Sequence, residues 1–238
     1  MRLAAVLWDM DGLLVDTEPL WTIAEQELAL ALGGSFTEQA KAAMVGTRLD
    51  VAVPILLSAL GLPPEPARVS DAMARLLRRM VELFATPPAL MPGAAALLAE
   101  LRAAGVPVAL VSSSYRVLVD AALAHGTGPF DVTVAGDEVS RGKPHPEPYL
   151  RAAALLGVAP GDCVVLEDSG AGVASGAEAG CAVVAVPSVP GVVVPAVDRL
   201  LTVSTLTAVD TADLEALVER HPGEAEVVSG PGARRPAP

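Results

Sequence analysis

This 238-residue chain is short of several things, and each shortage removes a class of explanation. It has two cysteines, Cys163 and Cys181, without CxxC spacing, so no disulfide framework and no cysteine-based metal motif can be built. Both lie in apolar contexts and read as buried free thiols of a reducing compartment, which places the protein in the cytoplasm. Aromatic residues make up only 3%. The mean hydropathy of +0.50 therefore comes from Ala and Val. Positive charge is scarce: 16 Lys+Arg against 28 Asp+Glu gives −12, and Lys41 and Lys143 are the only lysines. Such a chain has no basic footprint for nucleic acid or for an anionic membrane surface. Long apolar runs are missing too. The charge-free stretch 181–197 is interrupted by Pro187, Pro190 and Pro195, and a membrane helix needs roughly 20 uninterrupted residues. Near the start, Asp9 and Asp11 end the apolar run after Arg2 too early for a signal peptide. His125, His145 and His221 show no metal spacing, and no GxxxxGK[ST] loop occurs.

What is present divides into two patterns. Residues 3–8 (LAAVLW) read as a short buried strand that ends in Asp9. From Thr17 to Ala85 only helices are predicted, at 17–33, 37–44, 50–60 and 66–84. In the first, Leu20, Trp21, Ala24, Leu28, Ala31 and Leu32 follow helical spacing, with Glu25 and Gln26 off that face. Pro54 is expected to kink or restart the third. From Met91 the pattern alternates. Helices are predicted at 93–104, 115–124, 147–156, 171–179 and 211–219. Strands are predicted at 106–111, 131–135, 163–167, 181–186 and 200–203. Alternation of this kind implies βαβ units and a parallel sheet covered on both faces, an α/β fold with a Rossmann-like core. The strand runs are apolar throughout, as burial on both faces requires. The helical stretch cannot extend that sheet. The organisation expected is a core from 1–17 and 88–221, a helical unit at 18–87 inserted after the first strand, and a disordered tail at 222–238.

Ligands of open α/β sheets bind outside the carboxyl ends of the strands, so the residues standing there carry the functional expectation. The first strand ends in Asp9-Met10-Asp11-Gly12, and a later one in Ser112-Ser113-Ser114. Arg141-Gly142-Lys143-Pro144 follows the third strand, and Glu167-Asp168-Ser169 closes the fourth. Acids, hydroxyls and one lysine converging on one edge are the parts of a phosphoryl-transfer site. Asp9 and Asp168 offer hard oxygen ligands for Mg2+. Asp9 can then serve as nucleophile, Asp11 as general acid and base, and Ser112 and Lys143 as partners of the phosphate. Gly170, Gly172 and Gly176 superficially resemble a dinucleotide loop, but the spacing is GxGxxxG and the two acids before it would crowd a pyrophosphate.

These motifs, in this order, resemble the haloacid-dehalogenase-like hydrolase superfamily. The similarity is greatest to the branch with a small helical cap that includes β-phosphoglucomutase and sugar-phosphate phosphatases. DMDGLLVDTEPLW, VSSS, GKPHP and LEDSGAGVASGAEAG match the four family motifs, and the likeness covers roughly residues 3–220. It implies a Mg2+-dependent phosphatase that forms an aspartyl-phosphate on Asp9. The metal would be held by Asp9, the backbone carbonyl of Asp11, Asp168 and also Glu167. Ser112, Ser113 and Lys143 would bind the phosphate. Residues 18–87 become the cap, with Arg48 and Trp21 as candidate substrate contacts and joints near Asp16-Thr17 and Thr86-Pro88. The mutase of this branch carries a histidine where Trp21 stands, so hydrolysis is favoured over the alternative of a phosphomutase; a catalytically inactive metabolite-binding module is the remote alternative. The expected partner is a small phosphorylated metabolite, and the chain is expected to act as a monomer or weak dimer.

Overall fold

A stretch of four consecutive fully buried residues, Ala5–Trp8 (β1), lies at the centre of the sheet in the computed structural model, which describes residues 3–189, 191–220 and the backbone of 226–227. β1 pairs in parallel with Val108–Val111 (β2) on one side and Cys163–Glu167 (β4) on the other. Val132–Val134 (β3) flanks β2, and Ala182–Ala185 (β5), Leu200–Thr202 (β6) and Glu226–Val227 (β7) continue beyond β4. The order is β3-β2-β1-β4-β5-β6-β7. After β1 the chain builds outward through β2 and β3, then returns to β4 on the far side. The reversal opens a crevice at the carboxyl ends of β1, β2 and β4. All the strands the sequence predicts are present, trimmed by a residue or two. Glu226–Val227 pairs in parallel with the outer edge of β6, taking its free backbone groups. The rest of 222–238 lies outside the described residues.

Alternating residues of the strands pack against helices on opposite faces. Val6, Val108, Leu110 and Leu166 meet Leu97, Leu101, Leu214 and Leu217, from helices α5 (Ala94–Ala103) and α9 (Thr211–Glu219). Leu7, Ala109, Val165 and Val183 meet Tyr149, Ala152 and Val173, from α7 (Glu147–Leu156) and α8 (Gly170–Glu178). The sheet is thus sandwiched, which is why its strands read as unbroken apolar runs. Helix α6 (Arg116–Leu123) follows β2.

Between β1 and α5 lie four helices and no strand: α1 (Glu18–Ala31), α2 (Glu38–Met44), α3 (Leu49–Ala59) and α4 (Pro66–Leu83). Thr37 caps α2 by accepting the Ala40 N–H. α3 runs through Pro54 as one helix, without the restart the sequence allowed. α1 packs on α4, and α3 on α2 and α4. The chain segments entering and leaving this unit run side by side. Asp16 N–H donates to Ala89 O at 2.8 Å and Met91 N–H to Leu14 O at 3.0 Å. No helix among the described residues is long and apolar enough to cross a membrane.

Candidate active site

The site is built where β1, β2 and β4 stop. Asp9 leaves β1, Ser112 leaves β2, and Glu167 and Asp168 end β4. Lys143 reaches in from the loop before α7 and is as buried as the acids. Its ammonium uses all three protons, on Asp9 Oδ1 at 2.5 Å, Glu167 Oε1 at 2.6 Å and Val111 O at 2.9 Å. Burial pulls the Lys143 pKa down, but Asp9 and Glu167 outweigh it and the net shift is upward, so the cation is firmly held. Burial raises the Asp9 pKa well above the carboxylate range, with Lys143 opposing and Glu167 and Asp11 adding. Burial raises Asp168 as well, reinforced by Asp9 and Glu167.

Glu167 is tied down through both oxygens. Oε1 accepts from Lys143 and from the Tyr149 hydroxyl at 2.6 Å. Oε2 accepts from Ser169 Oγ at 3.0 Å and from the N–H groups of Asp168 and Ser169. The structure therefore gives Glu167 the task of fixing Lys143 and the turn after β4. Gly172 is required beside it: a Cβ there would fall 1.8 Å from the Glu167 carboxylate. Ser169, rather than either acid, caps α8, accepting the Gly172 N–H at 3.0 Å. The glycine run is thus explained by close packing of α8, and Asp168 is left free for other use. Asp168 Oδ2 accepts from Ser188 Oγ.

Asp9, Glu167 and Asp168 present carboxylate oxygens within 4.8 Å of one another. Three buried carboxylates face one buried ammonium, and the raised pKa values of Asp9 and Asp168 show that the site resists carrying the negative charge in excess of Lys143 unless a further cation offsets it. An all-oxygen donor set with that excess of acids fits a hard divalent cation such as Mg2+. The first-motif loop is pressed against these acids as well. A Cβ on Gly12, whose φ is +79°, would lie 2.3 Å from Asp168 Oδ2.

Asp11 points elsewhere. Its Oδ1 accepts from Thr17 Oγ1 at 2.8 Å and Trp21 Nε1 at 3.2 Å, and its Oδ2 from Ser112 Oγ at 3.0 Å and Ser114 Oγ at 2.9 Å. Trp21 is therefore not simply core: its ring lines the cavity above the site and its N–H holds Asp11. Ser112, expected on phosphate, here donates to Asp11 and accepts from Ser114 N–H. Ser113 Oγ donates to Gly46 O in the α2–α3 loop, joining core to cap. Arg48 makes a larger bridge. It chelates Asp50 at 2.7 Å through Nε and NH2, while NH1 donates to Gly136 O at 3.0 Å and Val139 O at 2.9 Å. It stands apart from the cavity wall, on the outer seam. Tyr149 and Ser188 escape sequence reading, although Ser188 follows a strand and satisfies the same strand-end rule; Ser114 is read at its strand end without the bond it makes to Asp11.

Glu25 differs from its expected place. Rather than standing off the packed face of α1, it is buried, because α1 is covered twice. Ala24 and Leu28 face α4, while Glu18, Trp21 and Glu25, spaced by three and four residues, face the cavity.

The haloacid dehalogenase-like hydrolase model matches residues 3–180. The chain is 34% identical over 197 residues to protein CbbY of Rhodobacter capsulatus, covering 79% of this chain and 87% of that one. It is 37% identical over 192 residues to hexitol phosphatase A of Escherichia coli K12, covering 78% of this chain and 84% of that one. The crystal structure of CbbY from Rhodobacter sphaeroides with phosphate superposes with a TM-score of 0.78 at 29% identity, over 90% of this chain and 99% of that one. A variant of that same protein has been crystallised with xylulose 1,5-bisphosphate. The matched stretch runs through every loop that brings an acid or the lysine to the crevice, and this chain belongs to the haloacid dehalogenase-like hydrolase family.

Proposed function

We propose that this enzyme is a Mg2+-dependent phosphatase of small phosphorylated sugars or polyols, working through an aspartyl-phosphate on Asp9. The observation that carries the reading is the division of labour between two acids on one loop. Asp9 is buried against Lys143, while Asp11, two residues on, is held by a separate set of donors. Relatives of this chain named as hexitol phosphatase and as a phosphorylated carbohydrates phosphatase support the substrate class.

Asp9, Asp168 and the main-chain carbonyl of Asp11 would hold the metal, with Glu167 behind them. When bound, the ion screens the repulsion between carboxylates and phosphate and polarises the phosphoryl oxygens. Lys143 opposes the effect of burial on Asp9, favouring its ionised form together with the metal, and places a point charge beside the incoming phosphoryl group. Asp9 attacks phosphorus and the leaving oxygen departs in line. Asp11 gives that oxygen a proton, then takes one from the water that attacks the aspartyl-phosphate. For this it exchanges bonds it now accepts from Thr17, Trp21, Ser112 and Ser114 for contact with substrate. The turn frees the Ser112 hydroxyl, which with Ser113 and Lys143 then binds phosphoryl oxygens. The cap, bridged by Arg48 and Ser113, excludes bulk water from the intermediate.

Phosphate release from a panel of sugar, polyol, nucleotide and glycolytic-acid phosphates, with and without Mg2+, tests the reading. Turnover should need Mg2+ and vanish in Asp9→Asn; hydrolysis at the wild-type rate by that variant would contradict it. Conversion of β-glucose 1-phosphate to glucose 6-phosphate without phosphate release would instead make the enzyme a mutase.

A further inference from the structure

The space between the sheet edge and the cap is one cavity of about 650 Å3, its open mouth included. Asp9, Asp11 and Ser114 lie on its floor, and Glu18, Glu25 and Lys41 in its roof. The mechanism has no use for Glu25, yet it is only 7% exposed and makes no hydrogen bond or ion pair in the structure. Its carboxyl lines the cavity without a protein partner and is not among the fully enclosed unpartnered atoms, so its bonding capacity is open to whatever occupies the cavity. Burial pushes its pKa to about 8, with Glu18 adding and Lys41 opposing. At neutral pH it is mostly a neutral acid, able both to donate and to accept a hydrogen bond.

The rest of the roof offers no home for an anion. Lys41 is the one cation among the described residues lining the cavity, and it is already used: its ammonium lies 3.2 Å from Glu18 Oε2 and also donates to Thr22 Oγ1. The Arg48 guanidinium is spent on Asp50 and two carbonyls at the seam. A second phosphate entering the roof would meet Glu18 and Glu25 with no unpaired positive charge to receive it. Trp21, Met44 and Leu49 supply an apolar wall suited to the C–H face of a carbon chain.

We infer that the roof selects substrates carrying one phosphate and an uncharged, hydroxylated far end, with Glu25 bonding a hydroxyl of that end. The inference deepens the phosphatase reading and rests on it. It sets this chain apart from the Rhodobacter sphaeroides protein crystallised with a bisphosphate.

The test uses the purified full chain with Mg2+ and compares kcat/KM for glucitol 6-phosphate, fructose 6-phosphate, fructose 1,6-bisphosphate and p-nitrophenyl phosphate. The better of the two monophosphates should exceed the bisphosphate by at least about tenfold, the scale of one unmatched polar contact. Glu25→Ala should raise KM for that monophosphate by about tenfold, and Glu25→Gln, which keeps a neutral bonding group, should recover most of the loss. Glu25→Lys should shift the preference toward the bisphosphate. A bisphosphate hydrolysed as well as the monophosphates, monophosphates no better than p-nitrophenyl phosphate, or an unchanged KM in Glu25→Ala would each overturn the inference and leave the phosphatase intact. Failure to hydrolyse even p-nitrophenyl phosphate would overturn the phosphatase reading, and this inference with it.

Discussion

The floor and the roof of the cavity are made by opposite means. On the floor, Asp9, Asp11, Glu167 and Lys143 sit at strand ends and in the loops beside them, and their polar groups are tied to one another or to neighbours at 2.5–3.2 Å. In the roof, the groups ride on helices, one carboxyl faces the cavity with no partner from the protein, and apolar side chains fill the rest. The difference teaches where chemistry and selectivity reside. A reaction needs fixed geometry, and strand ends in a close-packed sheet supply it. A specificity surface needs groups left open for a ligand, and a helical unit attached through two adjacent segments can present them without disturbing the sheet.

Variants can break this contrast, and the largest effects belong to the floor. Lys143→Ala leaves three buried carboxylates without their cation. Loss of one partner from such a cluster should cost about 3–5 kcal/mol of stability and remove nearly all turnover for every substrate, read by denaturant unfolding and by kcat. The excess of acids also predicts that Mg2+ stabilises the fold by linkage. Tm should rise on adding Mg2+ and fall with a chelator, and this response should be lost in Asp168→Asn. Asp11→Asn should lower kcat by about 10²–10⁴-fold, the usual worth of general acid–base catalysis, with a smaller change in KM. Roof variants should instead move KM in a substrate-dependent way. A roof change that lowered kcat equally for all substrates would erase the distinction.

A pH signature is specific to the roof. The folded state holds the Glu25 proton up to about pH 8, whereas an ordinary glutamate releases it near 4.5. The folded chain thus binds more protons than the unfolded chain between those values, so the contribution of Glu25 is complete below pH 4.5 and is lost as pH rises toward 8. Relative to Glu25→Gln, the wild type should lose Tm across that window. Parallel Tm curves would mean the carboxyl is solvated and the roof open.

The strands and the floor were legible in the sequence because their physics is local. An apolar run that stops at Asp9, Ser112 or Glu167 marks both a buried strand and the residue at its carboxyl end. The partners of those residues were harder to see. Tyr149 meets Glu167 across 18 positions, and Ser188 meets Asp168 across 20; such contacts are set by how α7 and the loop after β5 pack. Ser112 stands at the strand end, and its hydroxyl faces Asp11. Periodicity finds one covered face of a helix, and α1 has two, which is why the sequence puts Glu25 outside. The sequence marks Arg48 by its loop alone, and only the folded chain reveals that its guanidinium bridges the α2–α3 loop to Gly136 and Val139.

Stereochemistry at phosphorus tests the central claim most directly. Hydrolysis of a monophosphate made chiral with oxygen isotopes distinguishes two in-line displacements from one. Transfer first to Asp9 and then to water predicts net retention of configuration. Net inversion would mean that water attacks the substrate phosphorus directly, and Asp9 would not be the nucleophile.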